Sequence, residues 1–133
     1  MLNRKTLMTY RSELGVDQFI TNMMNTASKI TSTRRDLAEL NRRVRDREAD
    51  LADIELPFLE ETSSHGRNST LRKIMFQKLC KASSLWQDAR RAVDDATYHR
   101  DMVQAELSGL TARFSAQQHA CDLIVATLNA SCE

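Results

Sequence analysis

Between Val16 and Phe58, side chains spaced alternately three and four residues apart run Val16, Phe19, Met23, Thr26, Ile30, Thr33, Leu37, Leu40, Val44, Arg47, Leu51, Ile54 and Phe58. Only Thr26, Thr33 and Arg47 are not apolar. The same alternation returns at Met75 and continues through Leu79, Ala82, Trp86, Ala89, Val93, Ala96, Arg100, Val103, Leu107, Leu110, Phe114, Gln117, Cys121, Ile124 and Leu128, where only Arg100 and Gln117 are not apolar. A mean spacing of 3.5 residues keeps a stripe on one side of an α-helix. Sustained over this length it describes a coiled-coil seam and not a generic amphipathic helix.

Two seams joined by a polar stretch imply a chain folded back on itself. Pro57 lacks the N–H that a helix needs and disfavours helix at Leu56, so the first long helix is expected to stop there. Glu61 to Asn68, with Ser63, Ser64 and Gly66, reads as a connection, after which Ser69 or Thr70 can cap a new helix. Gly15 kinks or interrupts the start, with Asp17 as N-cap. Leu7, Tyr10 and Leu14 give the residues before it a short apolar stripe. The expected organisation is a single helical domain: a short helix in 1–14, a helix over 17–56, a loop over 57–69 and a long helix over 70–130. With 3 glycines, 1 proline and 5% aromatic residues, the chain has few of the turns that a β-fold needs.

Folding back through that loop sets a register. Leu51 falls opposite Met75, Val44 opposite Ala82, Leu40 opposite Trp86, Leu37 opposite Ala89, Ile30 opposite Ala96 and Met23 opposite Val103. Charge favours the antiparallel arrangement. Asp53, Glu55, Glu60 and Glu61 crowd the end of the first helix, and Arg67, Arg72, Lys73, Lys78 and Lys81 the start of the second. Each group sits at the unfavourable end of its own helix dipole, and the hairpin sets them side by side. The fold class is therefore all-α, a long antiparallel helical hairpin, coiled-coil-like and able to dimerise into a four-helix bundle.

A two-helix arrangement buries little surface per residue, so apolar positions off the seam mark where further helices dock. In the register above, Ile20, Met24 and Ala27 lie across from Met102 and Ala105. Leu123 and Val125 widen the apolar surface near the C-terminus, and Leu56, Leu59, Ile74 and Phe76 do so near the loop. The expected role is a non-enzymatic interaction protein, an adaptor, assembly factor or structural subunit. Its partner is another protein or a second copy, most simply as a homodimer. The alternative is a surface binder of nucleic acid or anionic membrane through the basic run Arg67, Arg72, Lys73, Lys78 and Lys81, which no acidic residue interrupts. Neutralisation by the facing acidic cluster argues against it.

Other chemistry is sparse. Arg34, Arg35, Arg42, Arg43, Arg45 and Arg47 are interleaved with Asp36, Glu39, Asp46, Glu48 and Asp50. Spacings of four, such as Arg35 with Glu39 and Arg42 with Asp46, suit a solvated, salt-bridged face. No aromatic ring among them could stack on a base, which disfavours nucleic acid. His65, His99 and His119 are scattered and no second pair completes a ligand set, so no metal, cofactor or catalytic group is expected. Net charge is +1. The first residues lack the apolar run of a signal peptide, and Cys121 to Ala126 is too short and too charged to span a bilayer. Three cysteines at Cys80, Cys121 and Cys132 suit reduced thiols, and a cytoplasmic protein is expected.

Overall fold

The computed structural model describes residues 4–6, 9, 15–64 and 68–132, and all regular structure among them is α-helical. Three helices follow in order: α1 over Val16–Ser63, α2 over Ser69–Ala82 and α3 over Ser84–Cys132. α1 packs against α3 as a helical hairpin. Residues 4–6 and 9 are helical, and the Thr9 hydroxyl donates to the Lys5 carbonyl at 3.0 Å. Leu7, Tyr10 and Leu14, which carried the stripe expected in 1–14, lie outside the described residues.

The 3.5-residue pattern is the buried stripe. Along α1 every seam position from Val16 to Phe58 is buried or half-buried except Arg47. From Met75 to Leu128 the same holds except at Ala82. By contact the chain forms two units, residues 36–103 and residues 1–35 with 104–133. The first has Val44, Leu51, Cys80, Val93 and Ala96 at its centre, together with Thr62. The second has Ile30 and Leu110 with Thr26 and Thr33.

The helix boundaries differ from the expected ones in three places, each with a local cause. α1 begins at Val16 and is capped by Gly15, not Asp17: Gly15 holds φ +64°, and its carbonyl accepts the Phe19 N–H at 2.9 Å. At its other end α1 does not stop at Leu56 but runs through Pro57 to Ser63. Pro57 is exposed, while Phe58 is half-buried and Thr62 buried beyond it. Packing of that last turn outweighs the single hydrogen bond that proline removes. With no basic residue in this turn, hydroxyls satisfy its final carbonyls: Thr62, Ser63 and Ser64 donate to Leu59, Glu60 and Glu61 at 3.1, 2.8 and 2.7 Å.

The third difference divides the helix expected over 70–130. Its start is capped by Asn68, neither Ser69 nor Thr70, through a side-chain oxygen that accepts the N–H groups of Thr70 and Leu71. The helix then breaks at Ser83, an extended residue with φ −94° and ψ 117°. The freed groups are used locally. The Ser83 N–H donates to Cys80 O at 3.1 Å, its Oγ accepts the Trp86 N–H at 3.2 Å, and the Gln87 side-chain amide donates to Lys81 O at 2.6 Å.

These changes move the register. Trp86, expected opposite Leu40, donates its indole N–H to the Glu55 carboxylate at 2.9 Å. The earlier pairing put Glu55 opposite residue 71, so the displacement is 15 residues (86 − 71), about two heptads. Val44, expected opposite Ala82, shares an open hollow with Arg100, together with Arg45 and Glu48. A slip of two heptads keeps seam against seam, which is why the periodicity alone did not select between the registers.

Candidate interaction surfaces

The apolar positions proposed for binding divide between the units. Ile20, Met24, Ala27, Ala105, Leu123 and Val125 belong to the unit of residues 1–35 and 104–133, whereas Met102 belongs to residues 36–103. The pairing that set Ile20 and Met24 across from Met102 used the register that Trp86 and Glu55 overturn. Met24 is 67% exposed and Leu123 60%, with Ile20, Met102, Ala105 and Val125 also exposed, while Ala27 is half-buried. In residues 36–103, Leu56, Leu59, Leu71, Ile74, Leu85 and Tyr98 are exposed as well. Phe76 is half-buried and lines a hollow with Leu59, Thr62, Ser63, Arg72 and Lys73.

The basic run sits largely on α2. Arg72 is half-buried, and Lys73, Lys78 and Lys81 are exposed. Arg67 lies outside the described residues. The neutralisation expected from across the hairpin does not take the form of ion pairs. Among the described residues, none of Asp53, Glu55, Glu60 and Glu61 comes within pairing distance of Arg72, Lys73, Lys78 or Lys81. Nor does α2 offer a bare helix start, since Asn68 already occupies two of its N–H groups.

Glu55 takes a role that the sequence reading missed. Half-buried, it accepts the Trp86 indole N–H and stands near Cys80, which is only 2% exposed. Burial pushes the Cys80 thiol up from its ordinary value, and the Glu55 carboxylate adds to that shift. Cys80 lies one residue off the seam, so the periodicity did not mark it. Cys121 is half-buried on α3, and both thiols are free.

The arginine-rich part of α1 is solvated, with partners other than those expected. Arg42 pairs with Glu39 at 3.2 Å, in place of Arg42 with Asp46, and Arg47 pairs with Asp50 at 3.8 Å. On α3, Arg90 pairs with Asp94 and Arg91 with Asp88. Arg100, in the seam, is half-buried and turns its guanidinium to Asp101 at 3.2 Å. His99 and His119 are exposed, and the His99 ring meets Tyr98 edge-on with centroids 6.0 Å apart. His65 lies outside the described residues. Among the described residues no group of three or more histidine, cysteine or acidic side chains is placed to hold a metal ion, and no helix is long and apolar enough to cross a membrane.

The class defined by this geometry is the all-α helical hairpin. No family model matches the chain, and neither a curated protein nor a solved structure matches it.

Proposed function

We propose that this chain is a non-enzymatic protein–protein interaction protein, a helical-hairpin adaptor, assembly factor or structural subunit of the cytoplasm. One observation carries the reading. Large apolar side chains such as Met24, Leu85 and Leu123 stand mostly in solvent, on a chain whose buried apolar core is Ile30, Val44, Leu51, Cys80, Val93, Ala96 and Leu110. Exposed apolar side chains that rival the core in number mark surface that another helix can cover. A second copy is the simplest such partner, giving a homodimeric four-helix bundle.

Sedimentation equilibrium on the intact chain and on a Met24→Glu, Leu123→Glu variant tests this reading. A dimer mass for the intact chain and a monomer mass for the variant, at equal helix content, are expected. An intact chain that stays monomeric and a pull-down that the variant does not alter would together remove the proposal.

A second reading has one observation in its favour. Arg72, Lys73, Lys78 and Lys81 make no ion pair among the described residues, so α2 presents unneutralised positive charge suited to nucleic acid or an anionic membrane. Binding to acidic vesicles or duplex DNA that weakens steeply with salt would support it, and no binding at low salt would end it.

A further inference from the structure

We infer that residues 69–132 exchange between the broken form, α2 and α3 meeting at Ser83, and one continuous helix that re-presents the α2 surface. Nothing in the local sequence demands a break. Lys81, Ala82, Ser83, Ser84 and Leu85 include neither glycine nor proline, and each is tolerated inside a helix. The seam also runs straight across the junction: Met75, Leu79, Ala82, Trp86 and Ala89 keep their alternating spacing of four and three. A pattern that ignores a break is a pattern for an unbroken helix.

The side chains flanking Ser83 occupy the opposite places from those the pattern assigns. At about 100° per residue, a continuous helix puts Ala82 roughly 40° from the direction of Trp86, inside the seam, and Cys80 roughly 120° away from it. In the broken form Ala82 is exposed and Cys80 is 2% exposed. The bonds that hold this form exist only while Ser83 is extended: Trp86 N–H to Ser83 Oγ, and the Gln87 amide to Lys81 O. Closing the break exchanges these, and the Ser83 N–H bond to Cys80 O, for helical backbone bonds donated by residues 83–86, an exchange of similar groups in similar number. Neither form holds a large advantage in hydrogen bonding.

The connection permits the change. With Glu55 level with Trp86, Ser63 lies level with residue 78, and a straight helix carries Ser69 about 14 Å beyond that point. Six Cα–Cα steps from Ser63 to Ser69 reach about 20 Å, enough to cover that distance and the helix separation. On straightening, Cys80 and the half-buried Phe76 rotate out of contact with α1, and Ala82 enters the seam. The basic side chains of α2 turn with them.

Cys80 is the natural reporter. In the full chain carrying Cys121→Ser and Cys132→Ser, its rate of maleimide labelling under native conditions reads the population of the continuous form. Ser83→Ala removes the cap and favours helix at that position, and should speed labelling about fivefold. Ser84→Pro places proline at the first position of α3, where it is welcome, after a residue already extended, and forbids the continuous helix. It should slow labelling at least as much. Asn68→Ala weakens α2 by a comparable amount at its other end without favouring either form, and should leave the rate near that of the parent. Equal rates for Ser83→Ala and the parent would overturn the inference. So would an Asn68→Ala rate matching that of Ser83→Ala, because α2 would then be fraying and not straightening. The comparison of Ser83→Ala with Asn68→Ala decides the matter even if Ser84→Pro fails to fold.

Discussion

Residues 36–103 and the unit of residues 1–35 with 104–133 use the same seam but secure it differently. In residues 36–103 the seam residues Val44, Leu51, Val93 and Ala96 are buried, and a polar contact between helices, Trp86 to Glu55, pins the register. All the ion pairs named above also lie there, on exposed side chains apart from Arg100. In the other unit the buried seam positions alternate between aliphatic and hydroxyl: Thr26, Ile30 and Thr33 on α1, with Leu110 on α3. The buried Thr26 hydroxyl turns back on its own helix to Asn22 O, as the exposed Thr111 and Thr127 hydroxyls do to Leu107 O and Leu123 O. Such bonds satisfy a polar group but tie no helix to another. Among the described residues the buried Gln117 Oε1 has no hydrogen-bond partner. One unit is thus keyed and solvated by charge. The other carries fewer charged side chains.

The largest effect expected is at the keyed core. Leu51→Ala should lower the unfolding free energy by about 2–4 kcal/mol, measured by urea denaturation, through lost burial and the cavity left behind. A loss under about 1 kcal/mol would mean that the two units do not differ in this way. Next is the key itself. Trp86→Phe keeps an aromatic side chain but removes the indole N–H and strands the half-buried Glu55 carboxylate, and should cost about 1–3 kcal/mol. In the unit of residues 1–35 with 104–133 the sign reverses: Gln117→Leu removes the orphaned oxygen and extends the apolar seam, and should raise stability by about 1 kcal/mol.

The smallest effect is a pH dependence. Burial, and then Glu55, raise the Cys80 thiol above its ordinary 9.0 in the folded chain, so the fold favours the neutral form. That contribution is complete below the ordinary thiol value and is lost as pH rises from there through the raised one. Denaturation midpoints on either side of pH 9.0 should fall in the parent chain and fall less in Cys80→Ala.

Helix identity and the buried face were legible because a 3.5-residue repeat has one structural meaning, and the residues from Val16 to Phe58 follow it with the single exception of Arg47. Turn position was not legible. Pro57 reads as a stop on local grounds, and only the packing of Phe58 and Thr62 beyond it shows that the helix continues. The break at Ser83 left no mark either, since a serine between two helical runs matches many positions that do not break. Register depends on both features, and a heptad pattern matches itself after every seven residues. The surfaces were legible as residues and not as patches. Met24 and Leu123 are exposed as their off-seam positions imply, but which of them share a unit followed from the register.

The most direct test of the hairpin in its shifted register is disulfide formation in a chain whose native cysteines have been replaced by alanine. Leu51→Cys with Ala89→Cys should oxidise within one chain, while Leu37→Cys with Ala89→Cys should not. Efficient intramolecular linkage of the second pair and none of the first would contradict the packing described for residues 36–103.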